Sequence, residues 1–275
     1  MGGYRTMPQG LRVLITGATS GLGREAAVQL ARRGARLALT GRRAAKLEAA
    51  ARAVREAGGE ALTLAGDVTD RKTVRRHYAE IRRLWGGLDW AVLNAGVGDS
   101  ESALQFTAEN YHWTFATNVG GAVNWIEAVL PDMLAAKSGV IAGVASLAAY
   151  RGLPKSGAYS ASKAALVSLL ESVRVDLRGT GVDVVTVCPG FVKSEMTDRN
   201  NPKDMIFLLE TEDGVRRMLR GIERRRRVVH FPWQLSCLMM YVVHNLPGWL
   251  YDRLIFRARD RVKKPYVDES RDTQA

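Results

Sequence analysis

Seven short apolar runs, each separated from the next by a longer stretch of helical period, set the strongest limit on how this chain can fold. They are Arg12 to Thr16, Arg36 to Thr40, Ala61 to Ala65, Leu88 to Leu93, Gly139 to Ala145, Asp183 to Cys188, and a short Val228 to His230. Strand alternating with helix calls for a parallel sheet, because each parallel connection crosses over the sheet and its helix buries the face it crosses. The predicted fold class is therefore α/β: a single doubly wound parallel sheet of about seven strands with helices on both faces. Leu47, Ala51 and Val54 mark one amphipathic helix, closed by Gly58 and Gly59. Val74, Tyr78, Ile81 and Trp85 mark another, with Asp70 as its N-cap.

The chain has 275 residues, 47% of them hydrophobic, enough to bury a substantial core. No linker or internal repeat interrupts the pattern, so one domain is expected over 1–264. Within it, 190–260 forms a substrate lid and C-terminal extension, and a polar tail follows at 265–275. The two cysteines, Cys188 and Cys237, lie far apart and lack metal-ligand spacing. That pattern fits a reducing compartment, the cytoplasm by default, and predicts neither a disulfide framework nor a metal site. Met1 to Gly10 contains no apolar stretch resembling a secretion signal, so none is expected. The net charge of +12 comes largely from arginine spread over helical segments and reads as solvated surface. With no recognised nucleic-acid motif or aromatic platform, a nucleic-acid partner is not expected.

After the first run comes Thr16-Gly17-Ala18-Thr19-Ser20-Gly21-Leu22-Gly23, opening a helical pattern that continues to Arg33. Glycines there allow a tight turn and let backbone amides approach a pyrophosphate at a helix N-terminus, where the helix dipole favours negative charge. The second run ends in Thr40-Gly41-Arg42-Arg43, with no acidic residue from Leu39 to Leu47. At this place an acid would bond the ribose hydroxyls of NAD, whereas an arginine pairs with the 2′-phosphate of NADP. Arg42, supported by Arg43, points to NADP(H). Asp67 and Val68 follow the third strand, suited to the adenine; Asn94, Ala95 and Gly96 follow the fourth, suited to the adenosine side. Taken singly, such residues are also ordinary turn formers.

Tyr159-Ser160-Ala161-Ser162-Lys163 opens a helix predicted to reach about Arg178. Residues four apart share a helical face, so Tyr159 and Lys163 point into one site. A phenol titrates near pH 10 and an adjacent ammonium is expected to lower it, giving a general acid/base suited to carbonyl–alcohol interconversion. Lys163 is also placed to hold the nicotinamide ribose. Ser146 ends the fifth strand and is placed to hydrogen-bond the substrate oxygen. Asn118 sits in a helical pattern although asparagine is a weak helix former. It is either holding a water behind Lys163 or is a satisfied buried amide.

Together, in this order, these residues resemble the classical short-chain dehydrogenase/reductase family over roughly Arg12 to Met196. The resemblance rests on the glycine turn, Asp67, Asn94-Ala95-Gly96, the tetrad Asn118, Ser146, Tyr159 and Lys163, and Pro189-Gly190. It implies a Rossmann fold, a reversible carbonyl/alcohol reaction, and a homodimer or homotetramer assembled through the long helices after the fourth and fifth strands. It also implies that Pro189 and Gly190 pack against the nicotinamide and that Val192 bonds its carboxamide through backbone groups. Where the family carries threonine two residues later, this chain has Ser194, so that contact is expected to be weakened rather than lost.

Beyond Gly190 the sequence is individual. Asp198 to Asp204 is polar and Met205 to Leu209 apolar, consistent with a mobile lid over an apolar substrate or with a core-packed turn. Arg224 to Arg227 precede an aromatic stretch reaching Phe256, broken by Pro232 and Pro247 before it attains the ~20 apolar residues of a membrane span. Aromatics beside arginines fit peripheral contact with an anionic membrane, and equally a pocket wall or subunit contact. The function expected is an NADP(H)-dependent oxidoreductase on an apolar, lipid- or steroid-like carbonyl or alcohol. The alternative is a non-catalytic NADP(H) sensor or scaffold.

Overall fold

The computed structural model describes residues 9–198 and 205–258. The polar tail expected at 265–275 and most of the Asp198 to Asp204 segment lie outside those residues. The strands are β1 (Arg12–Thr16), β2 (Arg36–Gly41), β3 (Glu60–Ala65), β4 (Trp90–Leu93), β5 (Gly139–Val144), β6 (Val182–Pro189) and β7 (Val228–Phe231). They form one parallel sheet in the order β3-β2-β1-β4-β5-β6-β7. Each falls on one of the seven apolar runs, with ends shifted by a residue or two. The largest shift is at β4, where Leu88 was expected to begin the strand. Its approach is taken by Asp89, whose carboxylate accepts from the Arg12 N–H at 2.9 Å and from its guanidinium at 2.6 and 3.0 Å.

The helices α1 (Gly21–Ala31), α2 (Ala44–Glu56) and α7 (Thr211–Glu223) cover one face of the sheet. The other face carries α3 (Arg71–Trp85), α5 (Gly121–Ala136) and α6 (Gly157–Asp176). Because side chains alternate across a strand, Val13 and Ile15 of β1 enter the first core and Leu14 enters the second. Both faces are buried, which is why the runs read as continuous apolar stretches. Asp70 does cap α3, accepting from the Lys72 N–H at 2.9 Å and from the Thr73 hydroxyl at 2.6 Å. α6 approaches β5 closely because position 143 is glycine: a Cβ there would meet Leu170 Cδ1 at 2.3 Å. Leu170 is fully buried in that contact, a contribution of about 1.5–3 kcal/mol. The same contact fixes the height of the helix that carries Tyr159 and Lys163.

Two features differ from a plain alternation. The helix α4 (Ala108–Phe115) passes into α5 through a π turn at Ala116–Gly120, and Asn118 lies in that turn. After β7, α8 (Trp233–Cys237) runs into a second π turn at Leu238–Val243, followed by α9 (Gly248–Ala258). Among the described residues no helix is long and apolar enough to cross a membrane. Arg224 to Arg227 precede β7 at the edge where the strands begin, with Arg225 bonded to Asp183 at the start of β6. The aromatic stretch begins past the far end of β7, about 10 Å away along the strand. Arg224 to Arg227 and the aromatics after Phe231 therefore lie at opposite ends of β7.

Candidate active site

The carboxyl ends of β1, β4, β5 and β6 open into one cleft of about 470 Å³. It forms where the chain, having run outward through β2 and β3, returns as β4 beside β1, the place where the crossovers diverge and leave a crevice.

At its centre lies the glycine turn. Gly17 and Gly21 have φ of 66° and 51°, in the left-handed region open to glycine. A Cβ at Gly23 would sit 2.4 Å from the Gly17 carbonyl oxygen and 2.6 Å from Asn94 Nδ2. Gly17, Thr19, Ser20, Gly21 and Leu22 face the cleft, while Gly23 packs behind it. Ser20, the N-cap of α1, makes no side-chain capping bond, and the first turn of the helix has no acidic residue. The first turn of α1 itself thus carries no carboxylate, and its positive end opens into the cleft. Asn94 does more than line the wall: Nδ2 donates to the carbonyls of Thr16 and Gly17 at 3.0 and 3.2 Å. Thr16 Oγ1 in turn accepts from the N–H groups of Asn94 and Ala95, both at 2.9 Å. This brace on the turn has no signature in the sequence beyond the residue types.

Arg42 and Arg43 line the end of the cleft beside Asp67 and Val68. Arg42 Nη1 lies 3.9 Å from Asp67 Oδ2, and Asp67 Oδ1 accepts from the Thr69 N–H at 2.8 Å. Arg43 Nη2 donates to Thr19 Oγ1 and Ser20 Oγ at 2.9 and 3.1 Å, and its Nη1 donates to Glu195 at 2.9 Å. Glu195 was not singled out in the sequence; nothing in its local pattern marks it.

At the opposite end, Tyr159 and Lys163 stand one turn apart on α6, with Ser146 two residues past the end of β5, capping a short 3-10 turn at Leu147–Tyr150. Ser146 and Tyr159 are hydrogen-bonded to each other, and Ser146 also accepts from the Ala148 N–H at 3.1 Å. Lys163 is only 3% exposed; its Nζ donates to the Val144 carbonyl at 2.9 Å and lies 5.6 Å from the centre of the Tyr159 ring. Burial pulls Lys163 down to about 8. Burial also raises Tyr159 above its ordinary value, against the hydrogen bond from Ser146, which favours the phenolate. The expectation that Lys163 lowers the phenol is therefore not met in this geometry. The ammonium is turned toward a carbonyl, and the cost of placing phenolate charge in an enclosed site dominates. Cys188, at the end of β6, is pushed up by burial to about 11 and is a neutral thiol near pH 7.

Asn118 does not line the cleft. It is a satisfied buried amide: Oδ1 accepts from the Val97 N–H at 2.8 Å, and Nδ2 donates to the Val97 carbonyl and to Ser162 Oγ, both at 2.9 Å. Gly96 separates it from the amine; a Cβ there would meet Lys163 Nζ at 3.1 Å and Asn118 Oδ1 at 3.3 Å.

Pro189, Gly190, Val192 and Ser194 form the wall after β6. None of Met205 to Leu209, expected to be a lid or a core-packed turn, lines the cleft. Leu209 is tied by backbone hydrogen bonds to Phe191 and Lys193, each at 3.0 Å, while Ile206, Phe207 and Leu208 are exposed. Beyond Tyr159 the cleft is lined by apolar side chains, Leu147, Leu153, Phe191, Leu235 and Met239. Leu235 and Met239 are one helical turn apart on the C-terminal segment, so its inner face is a pocket wall. Its outer face exposes Trp233, Tyr241 and Val242, and Trp249 and Phe256 follow in α9. Tyr251 anchors the segment by donating to the Gly152 carbonyl, and Arg151 stacks on the Tyr251 ring 4.5 Å from its centre.

The cleft suits an elongated anionic dinucleotide: cations at one end, an amide-lined turn in the middle, and a polar cluster beside an apolar chamber at the other. The sequence model described as short chain dehydrogenase matches residues 12–205. An uncharacterized oxidoreductase of Myxococcus xanthus is 45% identical over 256 residues, covering 93% of this chain and 98% of that protein. Sorbitol dehydrogenase of Cereibacter sphaeroides is 38% identical over 190 residues, 69% of this chain and 73% of that one. Among solved structures, a short chain dehydrogenase/reductase from Burkholderia phymatum in complex with NAD superposes with a TM-score of 0.79 at 25% identity. The match covers 94% of this chain and 98% of that one.

Proposed function

The chain belongs to the short-chain dehydrogenase/reductase family of oxidoreductases, and from that premise we propose that it is an NADP(H)-dependent reductase of an apolar, lipid- or steroid-like ketone or aldehyde. The observation that carries the reading is that Ser146, Tyr159 and Lys163 meet at one end of a cleft whose other end presents Arg42 and Arg43.

In this reading Gly17, Thr19, Ser20, Gly21 and Leu22 hold the pyrophosphate, backed by Gly23. Asp67, Val68, Asn94, Ala95 and Gly96 flank the adenosine, and Arg42 with Arg43 pairs with the 2′-phosphate. The end of the cleft lined by Pro189, Gly190, Val192 and Ser194 takes the nicotinamide. When bound, that ring supplies or accepts a hydride at the substrate carbon. The chain's own residues handle the oxygen. Ser146 donates a hydrogen bond to it, and Tyr159 passes its phenolic proton to it. Burial holds Tyr159 in its protonated form at neutral pH, so the phenol can give its proton to a carbonyl oxygen in reduction, and in the reverse reaction the phenolate takes it back. Lys163, charged below about pH 8, puts a positive field beneath the oxygen as negative charge develops there. Asn118 acts through Ser162 and Val97 as a positioning residue.

The two free cysteines support residence in a reducing compartment, the cytoplasm. Exposed Trp233, Tyr241, Trp249 and Phe256 support an outward contact with a second subunit or a membrane surface. Assembly as a homodimer or homotetramer through α5 and α6 belongs to the same reading.

The test is the loss of NADPH absorbance with a panel of aromatic, aliphatic and polycyclic carbonyls, repeated with NADH. Turnover of apolar carbonyls with NADPH well ahead of NADH is the expected result. NADPH bound but not consumed by any of them would leave a cofactor-sensing protein instead.

A further inference from the structure

Two cations beside the glycine turn are held by one carboxylate. Glu195 Oε2 accepts from Arg43 Nη1 at 2.9 Å, and Glu195 Oε1 lies 2.6 Å from Lys46 Nζ. Burial alone would raise this carboxyl, but hydrogen bonds from Lys46 and Arg43 hold it at about 2, so it is ionised throughout the neutral range. The second terminal nitrogen of Arg43 is bonded to Thr19 and Ser20. Both ends of that guanidinium are thus engaged by protein oxygens within the cleft.

The carboxylate is presented by a braced turn. The Ser194 N–H donates to Thr197 Oγ1 at 2.8 Å, Thr197 Oγ1 donates to the Val192 carbonyl at 2.9 Å, and the Asp198 N–H donates to the Ser194 carbonyl at 2.9 Å. This turn packs over the glycine turn, where a Cβ at Gly21 would meet Ser194 Cβ at 3.1 Å. Glu195 is therefore a fixed anion facing the same cations that a ribose phosphate would seek.

We propose that Glu195 is an internal counter-ion that competes with the 2′-phosphate of the cofactor for Arg43 and Lys46, and so sets how strongly the protein favours the phosphorylated dinucleotide. The inference rests on the NADP(H) reading of the arginines. A phosphate carries more charge than a carboxylate and has three acceptor oxygens, so it displaces Glu195 from both cations. A dinucleotide without that phosphate has nothing to exchange for the carboxylate and binds with the ion pairs intact. Competition with Glu195 thus weakens NADPH binding and leaves NADH binding as it was.

The experiment is equilibrium titration of the full chain with NADPH and with NADH, for the parental protein and for Glu195→Gln, at low salt. The side chain is exposed, and a thermal melt checks that the variant folds as the parent does. The expected result is NADPH affinity higher by about three- to tenfold, the span of two half-exposed ion pairs, with NADH affinity within about twofold of the parent. NADPH affinity that is unchanged, or that falls together with NADH affinity as it would if the carboxylate clamped a bound cofactor, overturns the inference and leaves the NADP(H) reading standing. A parental protein that binds NADH as well as NADPH overturns that reading, and the inference with it.

Discussion

Lys163 lines the cleft and Asn118 and Ser162 lie behind it, a floor at 3%, 1% and 0% exposure, whereas the opposite wall ends in a helix with Met239 inward and Tyr241 66% exposed. On the floor every polar side chain has a protein partner. Asn118 is bonded to Val97 and Ser162, Ser162 donates to the Tyr159 carbonyl at 2.8 Å, and Lys163 donates to the Val144 carbonyl. Such a chain of hydrogen bonds fixes side-chain positions before any ligand arrives. The wall turns only apolar side chains toward the cleft, Leu235 and Met239, while its own hydrogen bonds, from Arg151 to the His244 and Leu246 carbonyls and from Tyr251 to the Gly152 carbonyl, lie behind that face. The difference separates chemistry from selection. Under the proposed function, the floor would carry the reaction and the wall would select the substrate.

If the contrast holds, substitutions in the floor act on chemistry and stability in opposite directions. Lys163→Met is expected to reduce turnover by about 10²–10⁴-fold. It is also expected to stabilise the protein, because the amine is held from 10.5 down to about 8 by burial. That depression corresponds to about 3 kcal/mol, and losing the Val144 hydrogen bond gives back about 1 kcal/mol, so a gain of about 2 kcal/mol is predicted in urea unfolding at pH 7. The sign fixes the pH window. Below pH 8 both folded and unfolded chains carry the ammonium, and the burden on folding is complete. Between pH 8 and 10.5 only the unfolded chain keeps the proton, so the parental protein gains stability from this residue as pH rises. The variant lacks that gain, and a variant with equal pH dependence would break the contrast.

In the wall the expected effects are smaller and confined to substrate handling. Met239→Ala enlarges the apolar chamber. Its KM for bulky carbonyls is predicted to change by about tenfold or less, with kcat on a small ketone close to the parent. Equal losses in kcat for small and large carbonyls would show that the wall takes part in the chemistry and would blur the two regions together.

Much of this division is legible in the sequence. The seven strands, the glycine turn and the spacing of Tyr159 and Lys163 follow from local periodicity, because strands buried on both faces and a one-turn helical spacing leave direct signatures. The π turn around Asn118 does not, since nothing in the helical period of 108–136 marks where the turn widens. Glu195 and Lys46 are separated by more than a hundred positions, and their pairing exists only after β6 brings its following turn over α1. The arginines at 224–227 adjoin the aromatic segment in sequence, but β7 places them at the end of the sheet where the strands begin. The shift of Tyr159 also had to come from the structure. Spacing shows that an amine is near, but not that its Nζ is turned to a carbonyl while enclosure controls the phenol.

The central claim is that the Tyr159 hydroxyl is the proton donor. The direct measurement compares Tyr159→Phe with the parent in two assays on the same preparation: NADPH binding by fluorescence titration, and NADPH consumption with a carbonyl that the parent reduces. The account predicts an NADPH affinity within about twofold of the parent and turnover lower by about 10²–10⁴-fold. Carbonyl reduction at the parental rate by the phenylalanine variant would contradict it.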